Sequence, residues 1–354
     1  MQRKKNFAMA RRHRQDARRV RSPERCRGVI FIYQMNTPSN AAPESGSGSA
    51  TPATTLRVNS GVSDPGYKTR PLYWSVWREL WENRSIYIAP LIVAAFQVFG
   101  FAISTIGLAD RRRAVLLLDP AHQRAAIEQP YDLAAMMMIF TVFIVGVFYC
   151  LDALHGERRD RSILFWKSLP VSDLTTVLSK ATIPLVVLPL VAFAIIVCTH
   201  LIMVLETSVV LISHGMSPAS TWAHMPVPFN LLVLLYGLAA IALWHAPIYG
   251  WLLLVSGWAR RATFLWAVLP IIVIQIFEKI TFGTSYFGAF VKHRLMGFAS
   301  HAFGFHGESH PTIDSLSQLT PGKYLSSPGL WIGLLVAAGF LFAAVRLRRY
   351  RGPL

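Results

Sequence analysis

The sequence predicts an all-α, polytopic membrane protein: six transmembrane helices, an amphipathic helix at the interface before the first, and a short cytosolic helix between the second and third. Three observations lead there. Of 354 residues, 53% are hydrophobic and 15% charged, where a soluble domain carries roughly a quarter charged residues. Several apolar runs reach the roughly 18 residues that cross a bilayer as a helix. Lys and Arg fall unevenly among the segments between those runs, the bias that sets orientation.

The chain begins with a segment, residues 1–65, whose composition opposes folding: Arg-rich at first, then low-complexity Pro/Ser/Thr/Ala. The apolar stretch Val29 to Tyr33 is too short for a secretory signal core. Met35 precedes the low-complexity stretch, and we read it as the start, with residues 1–34 an over-extended reading frame. The competing reading is a basic arm for anionic lipid or nucleic acid. The net charge of +17 does not by itself imply a nucleic-acid partner: residues 1–34 hold eleven Lys/Arg against two acids and supply nine of those charges. Most of the remainder flanks apolar runs. Gly61 to Thr69 resembles a phosphate-binding loop at a glance, but Tyr67 stands between Gly66 and Lys68, and the motif needs the Lys directly after the Gly.

Residues 66–354 are expected to form the transmembrane domain. Its first element is Tyr73 to Arg84. At 100° per residue, Tyr73, Trp74, Val76, Trp77, Leu80 and Trp81 fill one arc, and Ser75, Arg78, Glu79 and Glu82 the other. Three Trp on the apolar arc suit the membrane interface. Spans follow at about 86–108, 133–151, 178–205, 231–258, 263–281 and 330–345. With both termini cytosolic, fifteen Lys/Arg lie on the inner side and seven on the outer, which fixes that orientation. Cys26, Cys150 and Cys198 show no paired spacing, and the last two read as small hydrophobes in or at the ends of apolar runs.

The most polar interval between two long apolar runs is Leu151 to Lys180. A charge cluster, Glu157 to Arg161, precedes an apolar patch of Ile163, Leu164, Phe165 and Trp166, and then Leu169-Pro170. Glu157 and Arg161 are four apart and are expected to pair on one helical face. Pro170 disfavours helix at Leu169 and ends the short helix there. Ser172 and Asp173 are suited to capping the next helix.

In order as well as composition, this stretch resembles the signature loop of the type-two ATP-binding-cassette (ABC) exporter permeases. Matching positions are Glu157, Arg158, Arg161, Ser162, Ile163, Leu164, Leu169, Pro170, Val171, Ser172, Leu178 and Lys180. Ser162-Ile163 departs from the Gly-Thr of many members. The resemblance implies a coupling helix that docks into a groove of a separate ATPase subunit. Glu157, Arg158, Asp160 and Arg161 would make polar contacts, Ile163, Leu164, Phe165 and Trp166 would fill the groove, and Leu169-Pro170 would close the helix. It further implies a bacterial inner membrane location and a homodimer or paired permease. ATP and Mg would be bound by the partner subunit, with no cofactor and no bond chemistry on this chain. The loop from about 282 to 327 would dip back into the outer leaflet. No motif marks the cargo.

Polar residues within spans are costly and often functional. Gln97, His200, Glu206, His245, Gln275 and Glu278 lie in or near the spans. His245, in a long run with Pro247 and Gly250, is the candidate pathway residue; Glu206 and Glu278 read as solvated carboxylates near outer ends. An ion- or proton-coupled secondary transporter using Glu206, Glu278 and His245 is the alternative, and it predicts an internal repeat of spans, which the sequence does not display. An intramembrane enzyme using Ser285 would need a base that spacing does not supply. His301, His306, Glu308 and His310 fit no standard zinc pattern.

Overall fold

The computed structural model describes residues 70–168, 171–224, 227–304 and 316–351, all within the unit Gly66–Leu354. They are almost wholly helical, and the only β pairing among the described residues is a single bridge, Phe303 to Leu319. Six helices are long and apolar enough to cross a membrane, the architecture of a multi-pass membrane protein.

Helix α1, Pro71–Glu82, starts with Pro at its first position, where a missing N–H costs nothing. It ends at Asn83, whose backbone N–H donates to the Glu79 carbonyl at 3.0 Å. Its aromatic residues face outward, with Tyr73, Trp74, Trp77 and Trp81 exposed, while Val76 and Leu80 pack on the core and Glu79 is buried. Helix α2, Ser85–Ser104, is the first long apolar helix, and α3, Leu108–Val115, follows it. Helix α4, Pro120–Arg159, runs 40 residues, about 60 Å at the standard rise. The Asp119 side chain caps it by accepting from the His122 backbone N–H. The second apolar run is therefore the middle of a longer helix with polar ends.

Helix α4 stops at Asp160. Arg161 then takes a left-handed backbone, φ 59°, and the chain re-enters helix as α5, Ser162–Ser168. Helix α6 spans Asp173–Ser213, with the Ser172 hydroxyl accepting from the Thr175 N–H at 3.1 Å as its cap. A π-helical turn at Ile183–Val187 interrupts α6. Pro184 and Pro189 flank its C-terminal part, and the wider turn absorbs their missing donors. After α7, Ala219–His224, comes α8, Val227–Trp258, then α9, Thr263–Phe282. The following region is partly helical: α10, Tyr286–Met296, α11, Phe298–Ala302, and α12, Pro321–Leu325. Helix α13, Pro328–Tyr350, completes the described chain.

The core lies between α2, α4, α6 and α8, around Ile86, Met138, Ile183, Leu188, Ile196 and Leu253. Helix α8 is central: 44% of its apolar window is buried, against 6% for α9, which stands at the periphery. Small residues allow close helix approach. A Cβ on Gly250 would meet the Ala337 carbonyl oxygen at 3.3 Å, so α8 and α13 nearly touch backbone to backbone. The region after α9 is pinned to α8 by hydrogen bonds from the Tyr324 hydroxyl to the Ala240 carbonyl (2.8 Å) and from the Tyr236 hydroxyl to the Ala302 carbonyl (3.0 Å).

Candidate functional site

The densest polar chemistry sits where α4 ends. Lys180, on the first turns of α6, places its ammonium 2.8 Å from Glu79 of α1 and 3.1 Å from Glu157 of α4. The other Glu157 oxygen accepts from Arg348 of α13, which also reaches Asp173 at 3.0 Å. Arg78 adds a 2.9 Å contact to Glu79, and the Tyr149 hydroxyl donates to Glu79 at 2.9 Å. Three carboxylates thus face three cations in balance, and at the rim Arg78 also lies 3.6 Å from the exposed Glu82. Glu79, Glu157, Lys180 and Arg348 are all buried.

Such burial is tolerated because each charge faces an opposite one; with one partner removed, the remaining charge would lose its compensation in low dielectric. The electrostatics at Glu79 follow the same balance. Burial pushes its carboxyl upward, but Lys180 and Arg78 outweigh that and hold it below the usual carboxylate range. The cluster ties together α1, α4, α6 and α13, four helices that otherwise meet mainly through apolar contacts.

The expected docking residues divide here into two sets. Glu157 turns inward to Lys180 and Arg348 rather than to Arg161. The expected pair fails because the helix breaks at Asp160 and Arg161, which removes the next turn on which Arg161 would have sat. Arg158 also turns inward, donating to the carbonyls of Gly257 (2.8 Å) and Ala259 (3.3 Å). A guanidinium there complements the carbonyl end of α8. Ile163 is buried and roots α5. Asp160 and Arg161 are exposed, as are Leu164 and Phe165, at 58% and 60%. Trp166 lies on the same helix; Leu169 and Pro170 fall outside the described residues.

His245 is enclosed rather than open. Its ring nitrogens lie 2.8 Å from the Ile241 carbonyl and 3.1 Å from the Leu295 carbonyl, and Phe143 packs 5.2 Å from the ring. It joins α8 to α10. Glu278 is likewise not simply solvated. Its carboxylate accepts from the Thr284 hydroxyl (2.8 Å), the Tyr286 N–H (2.6 Å) and the Phe287 N–H (2.9 Å), capping α10. Sequence reasoning missed the inward roles of Glu79, Lys180, Arg348 and Asp173. The available signal was a lone Lys entering a long apolar run. His306, Glu308 and His310 lie outside the described residues, and among the described residues no three His, Cys, Asp or Glu converge to hold a metal.

A second feature lies toward the other end of α4: a cavity of about 830 Å³ walled by α4, α6, α7 and α8. His200 is on its wall; His245 is not. Comparison with protein-family models, curated proteins and solved structures returned no match.

Proposed function

We propose that this chain is the membrane subunit of a bacterial ABC exporter of the type-two class, in the inner membrane with both termini cytosolic. It would form the substrate pathway as one of two paired permeases, coupled to separate ATPase subunits that bind ATP and Mg. The reading rests on the resemblance at Glu157 to Lys180, and one observation supports it above the rest. Helix α5 stands between two spanning helices with Ile163 buried and Leu164 and Phe165 exposed. An exposed apolar pair on a short, rooted helix is suited to a partner's groove, while the Arg-rich ends of α4 and α13 accord with a cytosolic face. The exposed aromatic residues of α1 suit a helix lying in the interface, with Glu79 turned to the protein.

The cluster supplies a mechanical rationale. A push on α5 enters α4 within two turns of Glu157, and Glu157 is bonded to α6 and α13. The displacement would then be shared by several spans rather than absorbed by a loop. Energy transfer requires α5 to have different contacts in the two transport states, which ATP-driven closure of the partner would provide. In this scheme Glu157, Arg158 and Ile163 anchor the coupling element, while Asp160, Arg161, Leu164 and Phe165 meet the ATPase.

The test is co-purification with a co-expressed ABC ATPase subunit from the same genome, with ATP turnover measured in proteoliposomes. Leu164→Ala with Phe165→Ala is expected to weaken association more than tenfold. Truncated anchors at an interface centre cost about 2 kcal/mol or more, and about 1.4 kcal/mol is tenfold. Unchanged association and turnover in the double variant would remove α5 as the docking element.

A further inference from the structure

The cavity of about 830 Å³ falls within the roughly 300–1,000 Å³ of small-molecule sites. We propose that it binds an amphipathic organic monocation, an amine or quaternary onium group on an apolar body. The argument starts from α4. Arg124, Glu128 and Asp132 are spaced by four and line one face of the helix toward the cavity. Arg124 pairs with Glu128 at 2.8 Å. Asp132 has no basic partner among the described residues, so the wall carries an uncompensated negative charge. A carboxylate at the edge of an apolar chamber recruits a cation, since any interaction there is screened less than in water.

The rest of the wall fits the remainder of such a ligand. Trp222 and Phe229 bring aromatic faces, which attract onium groups. Met136, Leu201, Val204 and Leu234 offer apolar surface for the body. An organic anion would meet net negative charge, and a neutral molecule would leave Asp132 without its complement. As a cargo site this rests on the exporter reading above; as a binding site it does not, and the test separates the two.

The chain alone, without any ATPase, is placed in nanodiscs of neutral lipid. Binding of tetraphenylphosphonium and of tetraphenylborate, equal in shape and opposite in charge, is measured by equilibrium dialysis against empty nanodiscs. The expected result is saturable phosphonium binding at one site per chain, weakened at least tenfold by Asp132→Asn, retained by Asp132→Glu and weakened by Trp222→Ala. Tetraphenylborate is expected to show no saturable component. Equal binding of the two ions, phosphonium binding indifferent to Asp132→Asn, or no saturable binding because lipid fills the cavity, would each overturn the proposal. Failure here leaves ATPase association untouched, and loss of that association leaves phosphonium binding untouched.

Discussion

Glu157, near one end of α4, is buried against Lys180 and Arg348, whereas Asp132, twenty-five residues earlier on the same helix, faces a cavity with no basic partner among the described residues. At the standard helical rise the two lie about 37 Å apart, more than the hydrocarbon thickness of a bilayer. One end is closed by balanced charge and binds four helices into a unit. The other leaves a charge uncompensated beside open volume. Under the function proposed above, the closed end would transmit force and the open end would receive a ligand. A buried balanced network resists rearrangement because any separated pair exposes an unpaired ion to low dielectric, while an unpaired carboxylate beside a cavity keeps its interaction in reserve.

The largest effect is expected from breaking the closed end. Lys180→Met keeps length and apolar bulk but leaves Glu79 and Glu157 without the ammonium they share. Removing one partner of a buried pair costs about 3–5 kcal/mol. A pronounced fall in thermal and denaturant stability in detergent is expected, with partial release of α1 visible as faster hydrogen exchange across Pro71–Glu82. A variant as stable as the wild type would show that the network is not what holds that end.

An intermediate effect is expected from acid. Lys180 and Arg78 hold the Glu79 carboxyl below its usual value of 4.5. A depressed carboxyl contributes stability in full above its unfolded value, and that contribution is lost as pH falls through the folded value. Wild-type stability is therefore expected to decline as pH drops below about 4.5, and Glu79→Gln to flatten that part of the profile while lowering the plateau at neutral pH. A profile unchanged by Glu79→Gln would place the acid sensitivity elsewhere.

How much of this was legible in the sequence depends on the range of the interaction. The six spans were legible because hydropathy is local. Their lengths were not: α4 runs Pro120–Arg159 and α6 Asp173–Ser213, with polar ends that hydropathy does not separate from loops. For α1 the pattern gave the two arcs and set the Trp-bearing one at the membrane interface, but it did not show that Val76 and Leu80 of that arc pack on the core or that Glu79 of the other is buried. Soluble experience buries the apolar arc, whereas here its aromatic residues Tyr73, Trp74, Trp77 and Trp81 are exposed and Glu79 turns in. The Glu157–Arg161 pairing required a continuous helix, and one residue at φ 59° cancelled it. The partners Glu157 does have lie far away in sequence; Arg348 is 191 positions on. Arg348 was visible only as a positive charge beside an apolar run, and Lys180 as such a charge and as the last position of the signature loop; neither pointed to a carboxylate partner. Glu278 was read as solvated because its acceptors' partners belong to the next helix.

The smallest effect on stability is expected at the open end, and it sharpens the contrast because it concerns another acid of the same helix. Asp132→Asn removes one charge with little change of shape. The residue is exposed and gives up no ion pair, so the stability change is expected within about 0.5 kcal/mol, as for surface substitutions away from special features. Measured by the same denaturant titration as Lys180→Met, it should differ from that variant several-fold. The polarity of the cavity would change without the fold noticing, which is the behaviour of a binding residue. If Asp132→Asn destabilised the protein as much as Lys180→Met, Asp132 would be holding the helices together, and the open end would be a second structural network with its partner on the chain.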